Sequence, residues 1–164
     1  MGHLPPWIAM RQLHPPVSIR PAAFDDLSEL VPLFEDYRRF YGQPGHGALA
    51  RRFLAERLVR GESHLLLAVE EKGSLVGFAQ LYPMFSSIQC QRTLVLNDLF
   101  VAPEMRGQGI GIALLEQVRL LAKRQAARSV SLQTAQDNHQ ARHLYERFGF
   151  ERDDCFLSYE LVVS

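Results

Sequence analysis

The chain has 164 residues, 47% of them hydrophobic, and its 18 basic and 18 acidic side chains balance to no net formal charge. This length and composition fit one globular domain, and the balanced charge disfavours nucleic-acid binding, which usually needs a basic excess. No apolar run approaches the roughly 18 residues of a membrane span and no signal-peptide pattern is present, so we expect a cytoplasmic protein without a membrane partner.

The first residues are rich in proline. The pairs Pro5–Pro6 and Pro15–Pro16 predict an extended arm over residues 1–16, because proline removes backbone donors and restricts the residue before it. We expect the remaining residues 17–164 to form one domain, which begins with a short alternating strand at Val17–Arg20.

Hydrophobic periodicity and turn residues predict the later elements. Two helices follow the first strand, one from Asp25–Asp26 to near Gly42 and one over Ala48–Val59. The rest of the chain is predicted to form, in order, strands Leu65–Val69, Leu75–Tyr82 and Thr93–Val101, helix Gly109–Ala127, strand Val130–Thr134, a helix capped by Asp137–Asn138 and ended by Gly149, and strand Phe156–Val162. This order predicts a mixed α/β (α+β) fold.

A glycine-rich turn, Arg106–Gly111, connects the strand ending at Val101 to the long helix. Backbone N–H groups at a helix N-terminus attract anions, and glycines let a pyrophosphate approach them closely. Arg106 could add a charged contact. The turn lacks the Gly-Lys-Ser/Thr of a Walker loop and the G-x-G-x-x-G spacing of a dinucleotide fingerprint. Glycine-rich turns also form ordinary strand-to-helix connections, so the turn alone leaves both interpretations open.

Two blocks of sequence resemble the GNAT superfamily of N-acetyltransferases. The first, Arg106–Gly111, matches the cofactor motif Q/R-x-x-G-x-G/A, and it follows a strand end, Leu99–Pro103, that is similar to the family's fourth strand. The second, Asn138–Phe150, matches N-x-x-A-x-x-L-Y-x-x-x-G-F. The resemblance covers roughly residues 17–162 and implies a mostly antiparallel sheet with splayed central strands and flanking helices.

The resemblance also implies that acetyl-CoA lies between the splayed strands. It assigns the pantetheine arm to the backbone of three strand residues, and the pyrophosphate to N–H groups of the turn. Asn138 and Tyr145 would lie near the pantetheine and the sulfur. The residues so expected to bind the cofactor are Leu99, Phe100, Val101, Arg106, Gly107, Gln108, Gly109, Ile110, Gly111, Asn138 and Tyr145.

Transfer to an amine requires a neutral nucleophile, and only about one lysine-like amine in a thousand is neutral near pH 7.4. We expect Tyr145 to protonate the leaving thiolate, the alternative being a core tyrosine that only packs. Asn97 and Asp98 stand where polyamine-type relatives carry Glu-Asp. Asn97 cannot be a base; Asp98 is a candidate for binding the acceptor's ammonium or polarising a water, or else a structural acid. Strand alternation predicts opposite faces for these two side chains.

The resemblance implies that acceptor recognition falls on the first two helices, their loop and the third strand. The aromatic candidates are Tyr37, Tyr41 and Tyr82, and the acidic candidates are Glu35 and Asp36; the alternative is that they form core and solvated surface. The expected reaction is direct transfer of acetyl to a small-molecule primary amine in a ternary complex. A protein or peptide acceptor and a non-catalytic CoA-binding sensor remain alternatives, and the resemblance implies a homodimer.

No metal is expected. His139 and His143 have a spacing able to bind zinc, but no third ligand is evident nearby and a solvated helix face is the favoured interpretation. Cys90 and Cys155 form no C-x-x-C pair, and direct transfer needs no acyl-enzyme, so we expect reduced thiols without a catalytic role.

Overall fold

The computed structural model describes residues 17–163, so the predicted arm over residues 1–16 lies outside the described part. The described residues divide into two compact units, 17–133 and 134–163. The first unit contains the sheet and three long helices, and the second contains one helix.

Five strands form one sheet in the order β1-β2-β3-β4-β5. The first four pair with antiparallel neighbours, and β5 pairs parallel to β4. Their bounds are Val17–Pro21 for β1, His64–Glu70 for β2, Leu75–Ser86 for β3, Gln91–Val101 for β4 and Val130–Ser131 for β5. This is the mixed, mostly antiparallel sheet with flanking helices that the sequence predicted.

Four α-helices and two short 3-10 turns accompany the sheet in the described residues. The helices are α1 at Leu27–Phe40, α2 at Gly47–Arg60, α3 at Ile110–Arg124 and α4 at His139–Phe148. The 3-10 turns, Phe24–Asp26 and Pro103–Met105, lead into α1 and into the glycine-rich turn. Gly61 ends α2 in the left-handed conformation that favours glycine. No helix among residues 17–163 is both long and apolar enough to cross a membrane.

Within the first unit, helices cover both faces of the sheet. On one face α1 and α2 pack in a core with the buried side chains of Phe78 and Phe100. On the other face, a Cβ added to Gly77 would lie 3.5 Å from Leu114 Cδ1 of α3. Gly77 faces α3 and Phe78 faces the α1–α2 core. Because neighbouring residues of a strand point to opposite faces, α3 and the α1–α2 pair lie on opposite sides of the sheet.

A β-bulge interrupts β4 at Asn97. Gln80 pairs with Asp98 and Leu81 pairs with Leu96, which leaves Asn97 without a partner in β3. An extra residue of this kind shifts the alternation of its strand. Leu96 therefore shares the α3 face with Leu81, whereas Asp98 turns to the α1–α2 face, where it contacts Tyr37.

Several elements differ from the sequence-based expectations. Strand β3 continues to Ser86 rather than ending at Tyr82, and β4 begins at Gln91 rather than Thr93. Helix α3 ends at Arg124 rather than Ala127, because Ala126 adopts a left-handed conformation, with φ of 50°. Strand β5 ends at Ser131 rather than Thr134. Phe156–Val162 forms no strand and is exposed, so that prediction was wrong. Alternating apolar residues indicate which face could be buried, but a strand exists only where a neighbour supplies ladder hydrogen bonds.

Candidate functional site

The glycine-rich turn leaves the N-terminus of α3 uncapped. Gly109 is the N-cap residue with φ of 84°, no side chain caps it, and the first turn of α3 contains no acidic side chain. Gly107 also has positive φ, 74°, and a Cβ there would meet nothing within 4 Å. The first N–H groups of a helix lack partners within it and carry partial positive charge. These groups fit a pyrophosphate, and the open space at Gly107 permits its approach.

Arg106 makes several contacts within the protein. Its Nε donates a 2.9 Å hydrogen bond to the carbonyl oxygen of Val101. Its guanidinium carbon lies 5.6 Å from the ring centroid of Phe40 and 5.4 Å from that of Phe100. This cation–π packing fixes the glycine-rich turn against the end of β4 and the end of α1. The charged phosphate contact predicted for Arg106 would therefore have to come from its terminal nitrogens.

The end of β4 presents backbone groups away from β3. Ala102 N donates to Val76 O at 2.9 Å, which makes these two residues a hydrogen-bonded pair of the ladder. Such pairs alternate along antiparallel strands, so Phe100 directs its N–H and C=O to Phe78, while Leu99 and Val101 direct theirs outward. The sheet geometry therefore favours Leu99 and Val101 over Phe100 as backbone partners for the pantetheine arm.

Strand β5 leaves this outward edge open. It pairs with β4 only at Leu94 and Val95, opposite Val130 and Ser131. From Leu96 to Val101, β4 has no strand partner on that side among the described residues. The open edge runs directly toward the glycine-rich turn. This open edge of β4 lies where the family resemblance implies a gap between splayed central strands.

Asp98 is the centre of a buried polar cluster on the α1–α2 face. It is only 4% exposed. Tyr37 Oη and Asn97 Nδ2 donate to its Oδ1 at 2.6 and 3.0 Å, and Gln80 Nε2 donates to its Oδ2 at 2.8 Å. No Lys, Arg or His side chain within residues 17–163 forms an ion pair with it. Neutral donors therefore satisfy the hydrogen-bonding capacity of the Asp98 carboxylate, but no positive side chain among these residues neutralises its charge.

Strand alternation predicted that the side chains of Asn97 and Asp98 point to opposite faces of the sheet, and this prediction was wrong. Their side chains are joined by the 3.0 Å hydrogen bond, although Asn97 is exposed and Asp98 is buried. The bulge is the reason, because it places two successive residues opposite one residue of β3. No local sequence pattern marks the bulge.

The three aromatic acceptor candidates have different environments. Tyr37 is half-buried, and its ring packs against Phe78 and Phe100 at 5.6 and 6.0 Å. Tyr41 is 48% exposed and lies edge-on to Tyr37 at 5.2 Å. Tyr82 is half-buried on β3. Alternation places it on the same face as Gln80, and therefore on the Asp98 side of the sheet.

Tyr82 keeps its phenol proton over the physiological pH range. Burial, with a further contribution from the negative charge of Asp98, raises the pKa of Tyr82 to about 12. Glu62 acts in the same direction, and Arg57 opposes it. Tyr82 is therefore a neutral hydroxyl near the buried carboxylate. Gln80 and Ser63 belong to the same polar cluster, and sequence analysis missed both because no motif distinguishes them.

The two acidic candidates on α1 are paired within the protein. Glu35 is 4% exposed; Arg38 and the backbone N–H of His46 each contact it at 2.5 Å. Burial acts to raise the pKa of Glu35, but these hydrogen bonds and the charges of Arg38 and Arg39 outweigh burial and hold it below the ordinary value. Asp36 is exposed and pairs with Arg39 at 2.7 Å. Glu35 thus ties α1 to the start of α2.

The second compact unit carries the other two predicted site residues. Asn138 is the N-cap of α4, and its Oδ1 accepts a 3.2 Å hydrogen bond from Ala141 N. Gly149 ends the helix with φ of 112°. Tyr145 is half-buried, and its ring lies 5.7 Å from that of Phe150. Asn138 thus has a structural role in starting the helix that presents Tyr145.

The histidines and cysteines form no metal site in the described part of the chain. No group of three or more His, Cys, Asp or Glu side chains within residues 17–163 is arranged to hold a metal ion. Cys90 and Cys155 are exposed thiols without a disulfide.

Comparison with known proteins agrees with this architecture. The model of the acetyltransferase (GNAT) family matches residues 30–150. An uncharacterized N-acetyltransferase of Bacillus subtilis (strain 168) is 44% identical over 147 residues, which cover 90% of this chain and 98% of that protein. A probable acetyltransferase of Haemophilus influenzae is 30% identical over 139 residues, 85% of this chain and 93% of that protein.

A solved structure shows the same fold. The crystal structure of a probable acetyltransferase superposes with a TM-score of 0.84 at 39% identity, covering 90% of this chain and 98% of that one. The family match extends over both motif blocks, from α1 to Phe150. The chain therefore belongs to the GNAT family of acetyltransferases, acyltransferases that generally use acetyl-CoA.

Proposed function

We propose that this protein transfers the acetyl group of acetyl-CoA directly to a primary amine of a small molecule within a ternary complex. The observation that carries the proposal is the succession of the open edge of β4 and the uncapped N-terminus of α3. Between them only Ala102 to Gly109 intervene. One short stretch of chain thus offers strand-like donors and acceptors to an amide-containing arm, followed by an anion site for a diphosphate.

Acetyl-CoA would supply an activated acyl thioester to this site. The outward backbone groups of Leu99 and Val101 would bind its pantetheine arm. The N–H groups of Gln108 to Gly111 would bind its pyrophosphate. Val101 O already accepts from Arg106 Nε, which leaves Leu99 N–H, Leu99 C=O and Val101 N–H for the arm.

The acceptor amine would approach from the side of the exposed bulge at Asn97. Most amines of this kind are protonated near neutral pH, and the uncompensated charge of Asp98 favours a cation nearby. The hydroxyl of Tyr82, neutral over the working pH range, adds a hydrogen-bond donor and acceptor. A proton must leave the amine before or during attack, and a water at the bulge would carry it to solvent.

Tyr145 is the proposed general acid. In the transfer, the amine nitrogen forms a bond to the acyl carbon while the carbon–sulfur bond breaks, and the departing thiolate takes the phenol proton of Tyr145. The second proton that the nitrogen loses returns through solvent to the Tyr145 phenolate, which restores the acid. Asn138 supports this role by starting the helix that carries Tyr145. Neither exposed cysteine is required in a direct transfer.

The name of one relative supports an amine acceptor of low molecular weight. The streptothricin acetyltransferase of Streptomyces lavendulae is 34% identical over 89 residues, 54% of this chain and 45% of that protein. The match covers only part of each chain, so the proposed chemistry of the acceptor rests on the uncompensated negative charge of Asp98 rather than on this relative.

Calorimetry and a thiol-release assay test the proposal together. Acetyl-CoA and CoA are titrated into the protein, and free thiol is then measured with a panel of polyamines, amino acids, aminoglycosides and peptides. We expect cofactor binding and release of thiol with at least one small amine. Binding without turnover would point to a sensor module, turnover with peptides alone would point to a protein acceptor, and absence of binding would contradict the proposal.

A further inference from the structure

We propose that Gln80 and Ser63 are positioning residues for the acceptor, because they form a hydrogen-bonded relay that fixes the exposed amide of Asn97. The inference rests on the proposed function and identifies how the same site would hold its amine. The relay runs from Ser63, between α2 and β2, through Gln80 and Asp98 to the bulge of β4.

In each hydrogen bond of the relay, the donor and the acceptor cannot exchange roles. A carboxylate can only accept hydrogen bonds, so Asp98 requires the NH₂ group of Gln80 to face it, at 2.8 Å. The Oε1 atom of Gln80 then faces Ser63, whose hydroxyl donates to it at 3.0 Å. Gln80 is fully buried, so water cannot replace either bond without cost.

The same rule fixes Asn97 at the other end. Its Nδ2 must face Asp98, because the carboxylate accepts from it at 3.0 Å. The Oδ1 atom of Asn97 is then the part of the amide that Asp98 does not hold. Since Asn97 is exposed at the bulge, the relay presents an oriented acceptor atom to which a protonated or neutral amine can donate.

The negative charge of Asp98 makes Oδ1 of Asn97 a stronger hydrogen-bond acceptor. A negative charge bound to the NH₂ of an amide polarises the amide and places more negative charge on its oxygen. Tyr37 holds the same Oδ1 atom of Asp98 from α1, which limits movement of the carboxylate. Gln80 and Ser63 thus influence the binding of the acceptor amine through Asn97, and neither contacts the amine itself.

Replacing Ser63 tests the far end of the relay with a small change. Ser63→Ala removes the hydroxyl that holds the Oε1 end of the Gln80 amide, and we expect the KM for the acceptor to rise about two- to tenfold, the value of one hydrogen bond. The kcat and the dissociation constant for CoA should stay within about twofold, because neither depends on that bond. Ser74→Ala, an exposed serine in the β2–β3 turn, is the matched control.

Replacing Gln80 by glutamate provides a readout that a purely structural role would not give. The introduced carboxyl group can still donate to Asp98 while it is protonated, but two facing carboxylates raise the pKa of one of them. The ratio of variant to wild-type KM for Gln80→Glu should therefore increase about tenfold between about pH 6 and about pH 9, as the shared proton is lost. Gln91→Glu, an exposed glutamine at the start of β4, should give a constant ratio.

The side-chain NH₂ resonances of Asn97 and Gln80 test the relay without any substrate. We expect Ser63→Ala to shift both pairs of signals and Ser74→Ala to shift neither. Unchanged Asn97 signals, or a KM ratio for Gln80→Glu that does not vary with pH, would overturn the inference. Failure of the proposed function is recognised separately, as wild-type protein that binds no CoA or acetylates no amine.

Discussion

The hydroxyl of Tyr37 donates a 2.6 Å hydrogen bond to Oδ1 of Asp98, across 61 positions of the chain. The bond joins α1 to β4 and satisfies a carboxylate that is only 4% exposed. Tyr37 was predicted as a residue that contacts the acceptor. Its hydroxyl donates to Asp98, so Tyr37 would also act on the acceptor by holding that carboxylate in place.

Removal of this hydroxyl should destabilise the protein. Hydrogen bonds to charged groups contribute about 1.5–3 kcal/mol, so we expect Tyr37→Phe to lower the free energy of unfolding by about that amount in urea titrations. Tyr41→Phe, next to the end of the same helix but 48% exposed, should change it by less than about 0.5 kcal/mol. Equal losses in the two variants would contradict the role given to the bond.

Glu35 should make stability depend on acid pH. Its folded-state pKa lies below the ordinary 4.5, so its ionised form stabilises the fold above that pH, and the contribution is lost as pH falls through the folded pKa. We expect Glu35→Gln to lower the free energy of unfolding by about 1–3 kcal/mol near pH 7. The difference from wild type should shrink below about pH 4.5.

Asp36→Asn is the control for that pH dependence. Asp36 lies next to Glu35, but its ion pair with Arg39 is exposed on both sides. Exposed pairs contribute little, so this variant should follow the wild-type curve of unfolding free energy against pH. A Glu35→Gln deficit of the same size at acid and neutral pH would count against the assigned pKa direction.

The backbone of the glycine-rich turn can be tested with two glycines of similar conformation. Gly107 and Gly73 both have positive φ, 74° and 93°, and a Cβ at either would meet nothing within 4 Å. Alanine should therefore cost each variant about 1–2 kcal/mol of stability, from backbone strain. Only Gly107→Ala should also weaken CoA binding, by about tenfold or more, because only Gly107 lies where the diphosphate is proposed to bind.

Thermal denaturation and calorimetry separate the two effects. A similar fall in CoA affinity for Gly73→Ala would show that lost stability alone explains the result. Normal affinity in folded Gly107→Ala protein would argue against the proposed anion site.

Tyr145 should affect turnover rather than cofactor binding. General acid catalysis contributes about 10²–10⁴-fold, so Tyr145→Phe should lower kcat by about 10²-fold or more while the dissociation constant for CoA changes less than about twofold. Tyr159→Phe is the control, since Tyr159 belongs to the same compact unit and is 89% exposed. An unchanged kcat in Tyr145→Phe would exclude the acid role.

The sequence by itself determined the features that depend on near neighbours in the chain. The glycines of Arg106–Gly111 predicted a glycine-rich start for α3, and Asn138 predicted the cap of α4; both are present. These features follow from local backbone conformation and from short-range hydrogen bonds, which a few adjacent residues specify.

Only the tertiary structure decided how distant segments combine. The bulge at Asn97 arises from the register between β3 and β4, and the same register places Asp98 opposite Gln80, on the face where Tyr37 reaches it. Pairing also decided that Phe156–Val162 forms no strand despite its alternating pattern. A strand's register and a buried side chain's partners depend on residues far away in sequence, so the chain's local pattern cannot specify them.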